Sequence, residues 1–125
     1  MSTAGPSAHD AAIRPWSRAA IANTIVRLHA EYAGRGPTRA RAHLAEDHVL
    51  VVLEDVFTTA ERSLLRSGQG GEVKALRKAL VEAMRGPAVA AIQDLTGRGV
   101  RAYISETHLD PELAVELFLL EPAKA

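Results

Sequence analysis

The chain has 125 residues, with 15 Lys and Arg against 15 Asp and Glu, no Cys, and 47% hydrophobic residues. This length suits a single domain that can bury a core without a metal or a disulfide. The absence of Cys excludes disulfides, thiol nucleophiles and Cys-based metal sites, and zero net charge argues against bulk attraction to nucleic acid or anionic membranes. No apolar run reaches the ~20 residues of a membrane span and no signal peptide is visible, so we expect a cytoplasmic protein whose membrane roles come through a partner.

The first predicted element is a helix from Ser17, a candidate N-cap, to about Ala33. Its apolar residues recur at helical spacing, and the expected buried face is Ile21, Ile25, Leu28 and Tyr32. The helix is expected to end at G-R-G-P, residues 34–37, because a glycine there supplies the left-handed conformation of a helix C-terminus.

Two β-hairpins are predicted. The strand Thr38–Ala45 places Ala40, Ala42 and Leu44 on one face and is followed by His48–Glu54. Because His48–Glu54 is apolar on both faces, we expect it to be a central strand. The second hairpin pairs Val100–Glu106 with Leu113–Leu120.

Helical sequence lies between the hairpins. Thr58 and Glu61 have the spacing of a capping box that opens a short helix, which ends at S-G-Q-G-G, residues 67–71. A longer helix is expected from Glu72, with a kink or break at Gly86-Pro87 before helical periodicity continues to Leu95. Its expected buried stripe is Val73, Leu76, Leu80 and Met84.

The expected fold class is α+β, a two-layer sandwich in the order α-β-β-α-α-β-β with helices on one face of a four-stranded antiparallel sheet. Residues 1–15 are expected to be a disordered leader, 16–121 the domain and 122–125 a tail. The second apolar face of the strand His48–Glu54 would need another cover. A second copy of the chain is the simplest supplier, so we expect a homodimer.

The two halves of the chain resemble each other. Gly34-Arg35-Gly36 and Gly97-Arg98-Gly99 each stand between an amphipathic helix and a strand that opens with Arg-Ala, which suggests an internal αββ repeat. One interpretation is structural, with glycines that turn the chain and an arginine beside a helix C-terminus. The other is functional, with Arg35 and Arg98 close together and binding an anion.

Candidate chemistry is sparse. Residues 67–71 lack the Lys-Ser/Thr of a phosphate-binding loop, and the string Ser105–His108 cannot form a triad because neighbours on a strand point to opposite faces. His43 and His48 flank one turn and could hold a metal, but two histidines at a hairpin end are more often solvated. We therefore expect no catalytic residue, cofactor or metal. The exposed pair Arg39 and Arg41 could contact a phosphate or an acidic partner, although a solvated face is the simpler interpretation.

The ordered motifs of the chain resemble one bacterial family. The motifs are Y-x-G-R-G-P (32–37), F-T-x-x-E (57–61), G-x-V-K-x-L-R (71–77) and T-G-R-G-V (96–100), followed by an apolar terminal strand. They are similar to those of the MpsC family, named after a sodium-translocating, membrane-potential-generating system and formerly a domain of unknown function. The resemblance covers about residues 17–121. Phe57 stands where the family is expected to have Leu, and Ser105-Glu106 where Ser-Asp is expected.

The resemblance implies a soluble accessory or regulatory module that contacts a protein partner associated with the membrane. Most motif residues have structural explanations as turns and a cap: Gly34, Gly36, Pro37, Thr58, Glu61, Gly97 and Gly99. Arg77 is the exception, because on its helix it follows the apolar Leu76 and would need a carboxylate or a ligand if buried. The alternative function is a small-molecule or anion sensor that uses Arg35, Arg98 and Arg77.

Overall fold

The computed structural model describes the backbone of residues 15–123 and the side chains of residues 18–123, so residues 1–14 of the predicted leader lie outside the described residues. Its elements run in the expected order α-β-β-α-α-β-β. They are α1 (Pro15–Ala33), β1 (Arg39–Leu44), β2 (His48–Glu54), α2 (Thr59–Arg66), α3 (Gly70–Thr96), β3 (Val100–His108) and β4 (Leu113–Leu120). The helix α1 already includes Ser17, so the prediction of Ser17 as its N-cap is wrong.

The strands form one antiparallel sheet in the order β1-β2-β4-β3, which confirms the α+β class and the central position of β2. Alternation along each strand sends one set of side chains toward the helices, where Val49, Val51, Leu53 and Phe118 are fully buried. The helices α1 and α3 pack against each other and against β1 and β3 respectively. The core therefore lies between one face of the sheet and the helical layer.

The capping box at the start of α2 is present as predicted. The Thr58 hydroxyl accepts a hydrogen bond from the Glu61 N–H at 3.2 Å, and the Glu61 carboxylate accepts one from the Thr58 N–H at 2.8 Å. Two N–H groups that the helix leaves unpaired are thereby satisfied, which fixes where α2 begins.

The helix α3 differs from its prediction in two ways. It runs without a break through Gly86-Pro87, where a break was one of the two expected outcomes. Ala83, whose carbonyl loses its N–H partner to the proline, lies on the exposed side of the helix, where water can bind that carbonyl. The buried stripe is also different: Leu76 is 45% exposed, Leu80 is half-buried, and the fully buried residues are Val73, Arg77, Met84, Ala88 and Ile92.

The buried face of α1 also departs from the prediction. Ile21 and Ile25 are fully buried as expected, but Leu28 and Tyr32 are only half-buried. Ala22 and His29 take their places in the core. The helix therefore turns toward the sheet a face that includes one polar side chain.

The two halves share a helix-ending device. Gly34 has φ +84° and Gly97 has φ +70°, and each donates its N–H to the carbonyl four residues earlier, Ala30 at 3.0 Å and Gln93 at 2.9 Å. Both halves also continue into an antiparallel hairpin. This common order and geometry fits the internal αββ repeat.

Replacing Gly97 with alanine is expected to lower the free energy of unfolding by about 1–2 kcal/mol, because a left-handed conformation strains any residue with a Cβ atom. The matched control is Gly71→Ala in the first turns of α3, where an added Cβ meets nothing within 4 Å. That variant is expected to be unchanged or more stable by up to about 1 kcal/mol. Urea unfolding monitored by circular dichroism measures both. Equal effects of the two variants would contradict the assignment of Gly97 as a required left-handed position.

Candidate interaction surface

The face of the sheet away from the helices, here called the outer face, is apolar at its centre. Its aliphatic side chains are Leu50 and Val52 from β2, Leu113, Val115, Leu117 and Leu119 from β4, and Ile104 from β3. All those on β2 and β4 are only half-buried, and Ile104 is 55% exposed. The described residues thus leave a continuous aliphatic surface in contact with solvent, the kind of patch that marks an interaction site.

The strand register arranges the outer face in rows across the sheet. One row is His43, Leu50, Leu117 and Ile104, in the order of the strands. The next row is Arg41, Val52, Val115 and Glu106. In these two rows the central strands carry only aliphatic side chains, whereas the edge strands carry three polar side chains and the aliphatic Ile104. The outer face thus has an apolar centre and a mostly polar rim, as many interfaces do.

The charges of this rim differ in sign between the two edges. On β1, Arg39 and Arg41 lie 3.7 Å from the Glu54 carboxylate, with side chains 76% and 65% exposed. On β3, Glu106 is exposed and has no ion-pair partner within the described part of the chain. One edge of the outer face thus carries two arginines that share the Glu54 carboxylate, and the other carries a carboxylate that forms no ion pair among the described residues.

The arginines of the two G-R-G turns occupy equivalent positions. Arg35 donates to the carbonyl of Asp55 at 2.5 Å, the residue that follows β2. Arg98 donates to the carbonyl of Glu121 at 2.8 Å, the residue that follows β4. Each arginine therefore ties its helix-to-strand turn to the end of the second strand in the same half.

This arrangement contradicts the hypothesis that Arg35 and Arg98 form one anion site. The antiparallel register places Glu54 opposite Leu113, and Leu120 donates its N–H to the carbonyl of Asp47. The partners of the two arginines consequently lie at opposite ends of the central strands, about 20 Å apart for strands of this length. Each arginine thus lies at the end of its own half.

Asp55 is the centre of a polar network at one end of the sheet. It has φ +58°, and its carboxylate accepts from Thr38 and Arg35, both at 2.7 Å, and from Arg62. Arg62 also binds Glu112 in the β3–β4 connection at 2.9 Å. Hydrogen bonds from Thr38, then Arg35 and Arg62, hold the pKa of Asp55 well below its ordinary value. The network joins the ends of both hairpins.

The Asp55→Asn variant tests this network by its pH dependence. Because the pKa of Asp55 is lower in the folded state, its contribution to stability is present above the unfolded pKa of about 3.9 and is lost as the pH falls toward the folded value. Urea unfolding from pH 7 to pH 2.5 should therefore show a steeper loss in the wild type than in the variant, since asparagine does not titrate there and tolerates positive φ. Parallel pH profiles would contradict the network.

Arg77 is buried, with a side chain 3% exposed, and forms an ion pair with Glu61, whose side chain is 1% exposed. It donates to the two Glu61 carboxylate oxygens at 2.7 and 2.6 Å and to the Val56 carbonyl at 2.7 Å. Its guanidinium also lies 5.5 Å from the centre of the Phe57 ring. Burial opposes the ionisation of Glu61, but hydrogen bonds from Arg77 and Thr58 outweigh it and lower the pKa of Glu61. Glu61 of the same chain thus supplies the carboxylate that a buried Arg77 was expected to need.

A second buried polar pair joins α1 to β4. The Nε2 atom of His29 lies 2.7 Å from a carboxylate oxygen of Glu116, and their side chains are 4% and 1% exposed. The Tyr103 hydroxyl is buried nearby without a hydrogen bond of ordinary geometry in the described residues. Burial and the Glu116 charge raise the pKa of Tyr103 far above its ordinary value. Sequence reasoning missed this pair, since an isolated His and an isolated Glu both suggest solvated positions.

A groove of about 480 Å³ lies between α3 and β3. Arg85 lines this groove and forms an ion pair with Glu82 at 2.8 Å. Its guanidinium donates a hydrogen bond to the Tyr103 carbonyl at 3.1 Å and lies 5.1 Å from the centre of the Tyr103 ring. Lys74 and Glu106 also line the groove. Arg85 therefore provides a hydrogen-bond donor for the Tyr103 carbonyl on β3, which is an edge strand of the sheet.

The remaining candidate positions do not converge on a site. His43 and His48 point to the outer face, and the ring of His48 bonds Asp47 at 2.8 Å. Among the described residues, no group of three or more His, Cys, Asp or Glu could hold a metal ion. Gly70 begins α3, and its N-cap Gln69 makes no side-chain capping bond. Pro37 is buried, and Gly36 approaches the Val26 backbone closely, which gives both structural roles in the turn.

Comparison with known proteins gives one match. The family model "Na+-translocating membrane potential-generating system (MpsC)" matches residues 16–122 of the chain. No curated protein and no solved structure matches. Within residues 15–123, no helix combines the length and the apolar character needed to cross a membrane.

Proposed function

The chain belongs to the MpsC family, and on that premise we propose that it is a non-catalytic accessory or regulatory module of a membrane-potential-generating system. It acts by protein–protein contact rather than by carrying ions itself. The family description supplies the link to a sodium-translocating system. The molecular means of action is the aliphatic outer face of the sheet.

The observation that carries this proposal is the combination of half-exposed aliphatic residues on one continuous face. Leu50, Val52, Val115 and Leu117 meet at its centre with charged groups at both edges. Solvent exposure of this face is unfavourable, because removal of apolar surface from water contributes roughly 25 cal/mol of free energy per Å². A protein partner that covers the face recovers this contribution.

The alternative function as an anion sensor loses most of its predicted site. Arg35, Arg77 and Arg98 are each bonded to carbonyl or carboxylate groups of the chain itself. Arg39 and Arg41 remain exposed and stand at the edge of the outer face. Their position supports a role in protein contact.

The test uses membrane potential in the organism that carries the gene. Deletion of the gene is expected to lower the sodium-dependent membrane potential reported by a potential-sensitive dye, and the wild-type gene restores it. The variant Leu117→Lys, which places a charge at the centre of the outer face, should fail to restore the potential. The matched control is Leu76→Lys on α3, because Leu76 is 45% exposed and lies away from the sheet.

Two results would contradict the proposal. A deletion that leaves the sodium-dependent potential unchanged would remove the link to the membrane system. Equal complementation by Leu117→Lys and Leu76→Lys, with both proteins present at wild-type levels on an immunoblot, would remove the outer face from the mechanism.

A further inference from the structure

We propose that the occupant of the outer face is a second copy of the same chain, packed face to face about a two-fold axis that runs parallel to the strands. This inference rests on the proposed function, because it names the partner of the same surface. The proposal specifies one relative orientation of the two sheets. Because the strand register is known, this orientation predicts which residues of the two copies face each other.

The register makes the outer face complementary to itself. A two-fold axis parallel to the strands, above the line between β2 and β4, keeps each row opposite its own row and reverses the order of the strands. Leu50 then faces Leu117 of the second copy, and Val52 faces its Val115. Aligned sheets pack about 10 Å apart with interdigitating side chains, which suits these aliphatic residues.

The charges at the rim select this orientation. In the same row as Val52 and Val115, Arg41 stands on β1 and Glu106 on β3. Reversal of the strand order places Arg41 of each copy over Glu106 of the other, so that one dimer contains the contact twice. A two-fold axis perpendicular to the strands would instead place β1 over β1 and bring arginines together. Electrostatic complementarity of this kind fixes register and suppresses wrong orientations.

The size of the face is consistent with a specific interface. Four strands about 4.8 Å apart and about seven residues long at 3.3 Å per residue span roughly 450 Å² in projection per copy. Two copies therefore bury about 900 Å² before the relief of the side chains is counted, close to the ~1,000 Å² that marks a biological interface. We accordingly expect a dimer that dissociates at micromolar rather than picomolar concentration.

The proposal is tested by exchanging the charges of Arg41 and Glu106 and measuring the dimer dissociation constant. Sedimentation velocity of the full chain over a concentration series gives this constant. Wild type is expected to sediment as a dimer at tens of micromolar. Arg41→Glu and Glu106→Arg should each raise the dissociation constant at least tenfold, since each places like charges opposite one another in both contacts. The double variant Arg41→Glu/Glu106→Arg restores opposite charges and should return the constant to within about threefold of wild type.

The far-UV circular dichroism spectrum separates dissociation from unfolding, because both residues are exposed and their variants should keep the wild-type spectrum. A folded wild type that stays monomeric at 100 µM, or a double variant no tighter than its single variants, would overturn the proposed dimer.

The two proposals fail in different ways. A monomeric wild type together with a Leu117→Lys variant that cannot restore membrane potential would leave the outer face functional but assign it to a different protein. A dimer that passes the charge exchange, in cells whose potential does not depend on the gene, would keep the dimer and end the proposed function.

Discussion

Replacing Arg77 with methionine is expected to lower the free energy of unfolding by about 3–5 kcal/mol, because it leaves the Glu61 carboxylate buried without its counter-charge. Methionine fills a similar volume, so the loss reports on the ion pair more than on a cavity. The Val56 carbonyl loses its donor in the same variant. Urea unfolding at pH 7, followed by circular dichroism, measures the change.

Two controls separate the ion pair from a general effect of substitution on α3. Lys78→Met removes an exposed cation one residue along the helix and should change stability by no more than about 0.5 kcal/mol. Arg77→Met/Glu61→Gln removes both charges while Gln keeps an oxygen for the Thr58 N–H, so it should recover part of the loss. If Arg77→Met were as mild as Lys78→Met, the buried pair would not stabilise the fold.

Replacing His29 with leucine is expected to lower the free energy of unfolding by about 1–3 kcal/mol, the cost of leaving a buried polar group without its hydrogen-bond partner. The group left behind is the Glu116 carboxyl, whose side chain is 1% exposed in the centre of the sheet. The unfolding free energy at pH 7 measures this loss, with Leu28→Ala on the half-buried flank of α1 as a packing reference.

The double variant His29→Leu/Glu116→Met gives the sharper result. Replacement of a complete buried pair by apolar residues of similar volume is often neutral or stabilising. We expect the double variant to be more stable than His29→Leu and close to wild type. Losses that simply add in the double variant would show that the two residues act independently, against the 2.7 Å contact between them.

The sequence predicted best where a local signal decides the structure. The strands His48–Glu54 and Leu113–Leu120 have the predicted bounds, because apolar runs between turn signals define them. The capping box at Thr58 and Glu61 is a relation between residues three apart. The G-R-G turns follow from glycine conformation. Each of these features depends on side chains that are neighbours along the chain.

The polar pairs could not be predicted in this way, because their partners are distant in sequence. Glu61 and Arg77 are 16 residues apart and lie on different helices, and His29 and Glu116 are 87 residues apart. A helical pattern therefore assigned Leu76 to the core and left the buried role of Arg77 open. Only the packing of α2 against α3 supplies the carboxylate that makes burial of this arginine favourable.

The outer face was predicted in part. The apolar character of β2 on both sides indicated that a second cover is needed, and the orientation of Arg39 and Arg41 followed from alternation. The order β1-β2-β4-β3 was needed to place β4 beside β2 and Glu106 on the opposite edge. The candidate surface therefore depends on topology, which a single strand pattern does not determine.

Cross-linking of engineered cysteines tests the face-to-face dimer most directly, because the natural chain has no Cys. His43→Cys/Ile104→Cys places thiols on β1 and β3 in a row that leaves Arg41 and Glu106 intact. The reagent is a bismaleimide that spans the ~10 Å between packed sheets but not the roughly 14 Å between these positions within one sheet.

We predict a covalent dimer with a 43-to-104 link identified by mass spectrometry, and no dimer from His43→Cys alone. Efficient cross-linking of the single His43→Cys variant would place β1 over β1, and no cross-link in the double variant would show that the outer faces do not meet; either result contradicts the account.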